Sequence, residues 1–444
     1  MSPRHADARP ERHGATDDDS RGAGIDGRGA VVDPGFTVIC CPDSFKGTAT
    51  AREAADAMAA GVRDAGARAI AAPMADGGEG TAELLAAAWA ATDSEDAEES
   101  AKEIDGAGRS AIAHAEVVNA AVAHDVATVD AIGRPITARW WEPAPGRAVL
   151  DLASASGLPA VADAPDALGA STFGTGEVIL DALAHGATDI TVCLGGSATT
   201  DGGAGLITAL GARVLGDAQD PDDAQDPGGG ALARATRIDF AALDPRARRA
   251  RWTLVLDVTT PPRDAPSVFG PQKGATPEQV EQLTGALLNW CRICGVDPGE
   301  PGYGAAGATP VGIAALVAAG DGTGRPTIER GAPLLARATG LDHALTDGTA
   351  DLILTGEGSV DAQSHVGKVV GWIVDAAAEH APGGRTTPVH VIGGRVDEGA
   401  AVVKRAHAAT ALPGPPERTR EQLRRAAYDA TLRAARTAGR ARRP

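Results

Sequence analysis

The sequence predicts an α/β fold built around a doubly wound, largely parallel sheet, and three observations carry the prediction. Short apolar runs without alternation, such as FTVICC at 36–41, DITVCL at 189–194 and DLILT at 351–355, read as strands buried on both faces. Segments of helical period lie between them. Aromatic residues are 3% of the chain against 43% hydrophobic residues overall. The cores must therefore be built from Ala, Val, Leu and Ile, which suits helices laid on parallel strands.

Residues 1–34 are polar, charged and Gly-rich, and are expected to be a disordered extension. After the strand at 36–41, Thr50 opens a helix, and Glu53 three residues on completes a capping box. Ala54, Ala57, Met58, Gly61 and Val62 continue its inner stripe. Residues 68–73 read as a second strand and 81–89 as a second helix, the βαβα opening of a doubly wound sheet. The acidic stretch 92–106 is expected to be a solvated loop. Segments 125–131, 136–141 and 149–153 read as neighbouring strands, so the middle of the chain should hold a sheet of mixed direction. A helix at 176–186, the strand at 189–194 and a helix at 203–212 follow. Residues 217–227, with DAQDP twice, read as a surface loop. A strand at 252–257 and a helix at 277–290 come next. The last third gives a strand at 351–355, a helix at 366–380, a strand at 389–392 and a helix at 417–438. The nine Arg of 417–444 are spread around that last helix, which reads as a solvated face.

Composition excludes several function classes. The net charge of −18 argues against non-specific binding to nucleic acid or a membrane. No apolar run approaches the roughly 18 residues of a membrane span. The first residues lack the apolar core of a signal peptide, so a cytoplasmic location is expected. The cysteines at 40, 41, 193, 291 and 294 are odd in number, and Cys291–Cys294 forms a lone C-x-x-C in a helical pattern. They read as buried thiols, not as a disulfide or zinc framework.

No G-x-x-x-x-G-K-[ST] occurs. Gly302, Gly304 and Gly307 match G-x-G-x-x-G, but GVDPGEP before them cannot be a strand, so a nicotinamide fold is excluded. Four other polar segments stand out, three of them at strand ends, where open α/β sheets bind ligands. They are Pro42–Gly47 (PDSFKG), Leu194–Gly203 (LGGSATTDGG), Phe269–Gly274 (FGPQKG) and Thr355–Asp361 (TGEGSVD) with Gly367-Lys368 beyond it. Repeated Gly with Ser and Thr exposes main-chain N–H groups that cradle phosphate. Carboxylates on a strand-end loop can hold Mg²⁺. Asp76-Gly77-Gly78-Glu79-Gly80 joins them, because two Gly between carboxylates imply close backbone approach. Of five Lys in the chain (46, 102, 273, 368 and 404), three adjoin a Gly. An ammonium in a Gly-rich loop can approach phosphate as a point charge, and phosphoryl transfer needs mainly positioning and charge neutralisation.

With PDSFKG (42–47), ADGGEGT (75–81), ASASGL (153–158), STFGTGE (171–177), GGSATTDGGAG (195–205), FGPQKGAT (269–276) and LTGEGSVDAQS (354–364) in order, the chain resembles the bacterial glycerate kinase family. The resemblance implies transfer of phosphate from ATP, with Mg²⁺, to D-glycerate, usually giving the 2-phosphate. It implies a flavodoxin-like domain (35–80 and 320–438), an inserted mixed-sheet α/β domain (81–319), a disordered tail (439–444) and an active site between the domains. In such a site Asp43 or Asp201 would take the hydroxyl proton, while Lys46 and Lys273 would face phosphate or the substrate carboxylate. Ser44, Gly195, Gly196, Ser197, Thr199, Asp76, Glu79 and Lys368 would hold the nucleotide. Asp257, Glu357 and Asp361 would bind the metal. The expected partners are these small molecules alone, with the protein a monomer or homodimer. Rival readings are a kinase for another small hydroxy or sugar acid, and a non-catalytic anion sensor.

Overall fold

The computed structural model describes residues 31–92, 121–216, 228–320, 324–346, 348–365, 368–379 and 386–442. Most of the expected N-terminal extension, residues 93–106 of the acidic loop and all of the loop 217–227 lie outside the described residues. The strands, in chain order, begin with β1 (Val31–Val32), β2 (Thr37–Cys40) and β3 (Arg68–Ala71). The middle of the chain adds β4 (Val122–Val129), β5 (Pro135–Ala144), β6 (Arg147–Asp151) and β7 (Asp189–Cys193). It continues with β8 (Arg213–Leu215), β9 (Arg237–Asp239), β10 (Arg251–Leu256) and β11 (Thr327–Arg330). The last are β12 (Leu352–Val360), β13 (Val389–Val396), β14 (Ala408–Ala411) and β15 (Ala441–Arg442).

Five strands form an all-parallel sheet in the order β14-β13-β12-β2-β3. Counted along the chain within the sheet this is 2-1-3-4-5 read from the β3 edge, the flavodoxin order. The chain reverses its direction of winding between β2 and β12, and ligands of such sheets bind at that switch point. The second sheet has the order β11-β10-β7-β6-β5-β4. Its β11, β10, β7 and β6 are parallel, whereas β5 and β4 return antiparallel, so it is mixed as the alternating segments required.

Layers of helix separate and cover the sheets. One core joins the two: Ile39, Ile353 and Val391 of the parallel sheet and Val149, Cys193 and Val255 of the mixed sheet pack on the helices Thr81–Thr92, Gly331–Thr339 and Val369–Glu379. The far face of the parallel sheet packs on Ala51–Asp64 and Thr419–Thr437. The far face of the mixed sheet packs on Phe173–Ala184, Pro277–Cys294 and Ala305–Ala318 around fully buried Trp290. Fully burying a Val, Leu or Ile side chain, of which these cores are largely built, stabilises the fold by about 1.5–3 kcal/mol. The capping box is present, with Glu53 N donating to Thr50 Oγ1 at 3.2 Å and Thr50 N donating to Glu53 Oε2 at 3.0 Å. On the C-terminal helix Arg424 pairs with Asp64 at 2.6 Å and Arg420 with Glu53 at 3.0 Å, so these cations serve helix packing.

Three expectations need correction. Thr355–Asp361 is not a loop, because β12 continues to Val360 and pairs Glu357 with Gly393 and Ser359 with Arg395. Gly356 lets the strands lie this close: a Cβ there would stand 1.8 Å from the Ile392 carbonyl oxygen. β11 pairs with β10 in the mixed sheet, although 320–438 was expected to belong to the parallel one. The described ends of the two segments expected to be disordered pair with each other, Val31 with Arg442 and Val32 with Ala441.

Candidate active site

The strand ends of both sheets meet at the β2/β12 switch point. Asp43 N donates to Gly356 O at 2.9 Å, joining the loop after β2 to β12, and Met74 N donates to Pro42 O at 2.9 Å, drawing in the chain after β3. From the mixed sheet, Gly195 N donates to Gly77 O at 3.0 Å. A Cβ on Gly195 would lie 2.3 Å from the Gly78 Cα, so only glycine permits the two loops to touch.

This convergence gathers Asp43, Asp76, Asp257 and Glu357 with Lys46 and Lys368 into one electrostatic group. Burial, then the neighbouring Asp76 and Glu357 charges, push the Asp43 carboxyl up to about 8, against the Ser44 N–H that donates to it at 2.6 Å and against Lys46. Burial and Asp76 likewise push Asp257 up to about 6, with Lys368 and Lys46 opposing. Glu357 is raised by burial, Asp76 and Asp361, while the Ser364 hydroxyl and Lys368 pull it down. Burial alone would lower Lys368; the charges of Glu357, Asp76, Asp257 and Asp43 outweigh it and raise the ammonium's pKa. Lys46 is exposed, so its ammonium can move. The Oε1 of Glu357 is buried without a hydrogen-bond partner among the described residues. Asp361 sits at the end of β12, where it receives the Ser359 hydroxyl at 3.4 Å. No three His, Cys, Asp or Glu side chains among the described residues converge closely enough to hold a metal alone.

A second group lies inside the loop after β7. Lys273 is buried, and its Nζ donates to Ser197 Oγ at 2.8 Å and to Thr199 O at 2.5 Å. Burial lowers its pKa to about 7, with the Asp201 charge opposing. Asp201 is fully buried and accepts four hydrogen bonds: Thr172 N at 2.8 Å, Thr172 Oγ1 at 2.7 Å, Gly203 N at 3.2 Å and Gly205 N at 3.1 Å. The expectation that Asp201 takes a substrate proton is corrected on that ground, because its lone pairs already hold the loop together. Through its two bonds Lys273 braces the loop from beneath. The Gly195 amide, expected to hold phosphate, is taken by Gly77. Gly196, exposed and left-handed with φ 71°, forms the loop's crest, while Ser197 and Thr199 are buried beneath it. The Thr199 hydroxyl has no hydrogen-bond partner among the described residues.

The profile of the Glycerate kinase family matches residues 38–441. The chain belongs to the glycerate kinase family. It is 34% identical over 355 residues to the glycerate 2-kinase of Escherichia coli K12, a match covering 77% of this chain and 82% of that one. It is 33% identical over 377 residues to the glycerate kinase of Halalkalibacterium halodurans, covering 82% and 86%. A crystal structure assigned to glycerate kinase 2 of Salmonella typhimurium LT2 superposes with a TM-score of 0.66 at 30% identity, covering 91% of this chain and 99% of that one. The protein is therefore an enzyme, a glycerate kinase.

Within this kinase, Glu79 is exposed and leaves the carboxylate group to line a cavity of about 210 Å³ with Glu83, Arg139, Trp141, Asp151 and Ser154. Ser44 is half-buried beside Asp43. Sequence reading missed Arg330, whose guanidinium donates to the Asp257 carbonyl at 3.0 Å and ties β11 to the end of β10. Nothing marks it in the sequence, because it is one of many Arg and its partner is 73 residues away.

Proposed function

We propose that this kinase moves the γ-phosphoryl group of ATP onto a hydroxyl of D-glycerate, giving 2-phosphoglycerate. The observation that carries the reading is the gathering of four carboxylates around Lys46 and Lys368 where β2 and β12 diverge. Burial and the Asp76 charge raise Asp43, Asp257 and Glu357, an arrangement expected where charge is to be neutralised by ligands. Mg²⁺ fits this donor set. It takes oxygen ligands, keeps several waters and needs only one or two protein carboxylates beside the substrate phosphates. The unpartnered Oε1 of Glu357 meets that need. Glu357 and Asp257 would hold the ion, with Asp361 acting through water. When bound, Mg²⁺ neutralises the β- and γ-phosphate oxygens.

The chain's own groups do the rest. Lys46, exposed beside Asp43, reaches toward the transferred phosphoryl. The crest at Gly196 offers main-chain N–H groups to phosphate, and Lys273 and Asp201 hold that loop rigid from below. The glycerate hydroxyl oxygen forms its bond to the γ-phosphorus as the bond to the β–γ bridging oxygen breaks. The hydroxyl proton passes to the Asp43 carboxylate, and ADP leaves. A base held near neutral pH suits this step, and burial has pushed Asp43 up to about 8. Ser44 and Asp76 complete the site.

The same reading takes 35–80 with 320–438 and 81–319 as the two domains, with β11 moved to the second. It takes the enzyme as a cytoplasmic monomer or homodimer; among the described residues no helix is long and apolar enough to cross a membrane. A coupled assay of ADP release with D-glycerate, glycolate and tartronate tests the reading. D-glycerate should be preferred by a wide margin. ADP release that ignores glycerate, or equal use of all three acids, would refute it.

A further inference from the structure

The loop Asp76–Gly80 follows β3 and so belongs, by chain order, to the parallel sheet. Its contacts lie elsewhere. Its last hydrogen bond toward its own sheet is Met74 N to Pro42 O at 2.9 Å. Beyond that point its hydrogen bonds to other elements run to the mixed sheet. Gly77 O accepts from Gly195 N at 3.0 Å. A Cβ on Gly77 would lie 3.3 Å from the Leu256 backbone, and one on Gly331 would lie 2.2 Å from the Asp76 carbonyl carbon. The strongest fastening comes from Asp151, the final residue of β6. Its Oδ2 accepts from Gly80 N at 2.8 Å and its Oδ1 from Ala82 N at 3.0 Å, across about 70 residues of chain.

We propose that Asp151 is a positioning residue of the kinase, a carboxylate that caps the helix Thr81–Thr92 from the neighbouring sheet and thereby fixes the Asp76–Gly80 loop. Both oxygens are engaged by main-chain N–H groups in a buried setting, where charge-assisted bonds are strong and directional. The loop places Asp76 against the charges of Asp43, Asp257 and Glu357, which repel it. Lys368 attracts it, and the bonds to Asp151 fix where the loop settles between these charges. The loop's remaining bonds, Gly77 N donating to Thr81 Oγ1 at 3.2 Å and Gly78 N to Asp76 Oδ1 at 3.1 Å, are local and set its internal shape without tying it to the neighbouring sheet. Burial pushes Asp151 up to about 7 against the two N–H donors, so the fold places this carboxylate where isolation would disfavour its charge. The inference rests on Asp76 belonging to the phosphoryl-transfer site.

The test pairs Asp151→Asn with Asp76→Asn. An amide at 151 keeps the size of the side chain but turns one acceptor into a donor facing an N–H. Displacement of catalytic groups by about 1 Å can cost on the order of 10²-fold in rate. Asp151→Asn should therefore lower kcat about 10- to 100-fold with KM for ATP and for D-glycerate changed less than about 3-fold. Amide hydrogen exchange should quicken only in peptides covering 76–84, and Asp151→Glu should restore part of kcat. Unchanged kcat beside a crippled Asp76→Asn would overturn the inference alone. Faster exchange throughout the mixed sheet would overturn it in favour of a purely structural role. Full activity in Asp76→Asn would overturn the placement of the loop in the site, and the inference with it.

Discussion

Replacing Glu357 by Gln should weaken metal binding while leaving the fold as stable as before, or more so. In the folded chain Glu357 is buried, and Asp76 and Asp361 add repulsion, so its carboxyl is raised above the ordinary glutamate range. An acid whose folded pKa lies above its unfolded value binds its proton more tightly when folded. Its ionised form at neutral pH is therefore a cost to stability, and a neutral amide removes that cost. Gln keeps an acceptor for the Ser364 hydroxyl, and Lys368 keeps Asp76, Asp257 and Asp43 as partners. Toward a cation the effect reverses. Two unit charges about 4 Å apart interact by roughly 4 kcal/mol at an effective dielectric near 20. With the dipole of the amide retained, the loss amounts to about 3–4 kcal/mol, or on the order of 10²–10³-fold in affinity. Calorimetric titration of Mg²⁺ in the presence of a non-hydrolysable ATP analogue reads the affinity, and thermal melting reads the stability. Mg²⁺ affinity within about 3-fold of the parent, or a Tm lowered by more than a few degrees, would refute the reasoning.

Lys46→Met should lower kcat on the order of 10³-fold by removing a cation from the transferred phosphoryl. Because Lys46 is exposed, Tm should stay within a degree or two; an unaltered kcat removes Lys46 from the step. Asp201→Asn should instead cost about 2–4 kcal/mol of stability, since an amide cannot accept all four of the donors that Asp201 now satisfies, and denaturant unfolding with a parent-like midpoint would contradict that. Stability should fall as pH rises from about 4 to 8, because Asp43, Asp151 and Asp257, pushed up to about 8, 7 and 6, hold protons that the unfolded chain has released. Above pH 7 the Lys273 ammonium, lowered to about 7, works the other way, because the unfolded chain holds a proton that the fold does not; its contribution rises until the buried cysteines, pushed up by burial, oppose it in the alkaline range. Melting curves at low ionic strength check both limbs, and a Tm that climbs steadily between pH 5 and 7 would contradict the first.

Much of this architecture was legible because it rests on local signals. The strand at Phe36–Cys41, the Thr50–Glu53 capping box and the return of α/β alternation after residue 350 each follow from period and cap chemistry. What stayed hidden depends on partners distant in sequence. β11 reads TIER, too short and too polar for a strand by pattern, and is one because β10 supplies its ladder. Glu357 reads as a loop residue because of its flanking glycines, yet Gly356 serves the close approach of β13, and Gly358 faces the Phe45–Lys46 backbone. The sequence singles out the Lys and Asp of glycine-rich segments, but not the directions in which they point. Lys46 is exposed and acts on the Asp43 and Asp257 charges, whereas Lys273, in an equally glycine-rich setting, turns inward onto Ser197 and Thr199. Asp201 and Asp43 are both aspartates at strand ends. The four donors around Asp201 mark it as a carboxylate that holds its loop together, which the sequence does not show.

Phosphorus NMR of a reaction containing MgATP and D-glycerate tests the central claim most directly. The account predicts ADP together with a new phosphomonoester signal split into a doublet by the single proton on carbon 2, absent with Lys46→Met. ATP left intact, or ADP accompanied only by inorganic phosphate, would contradict it.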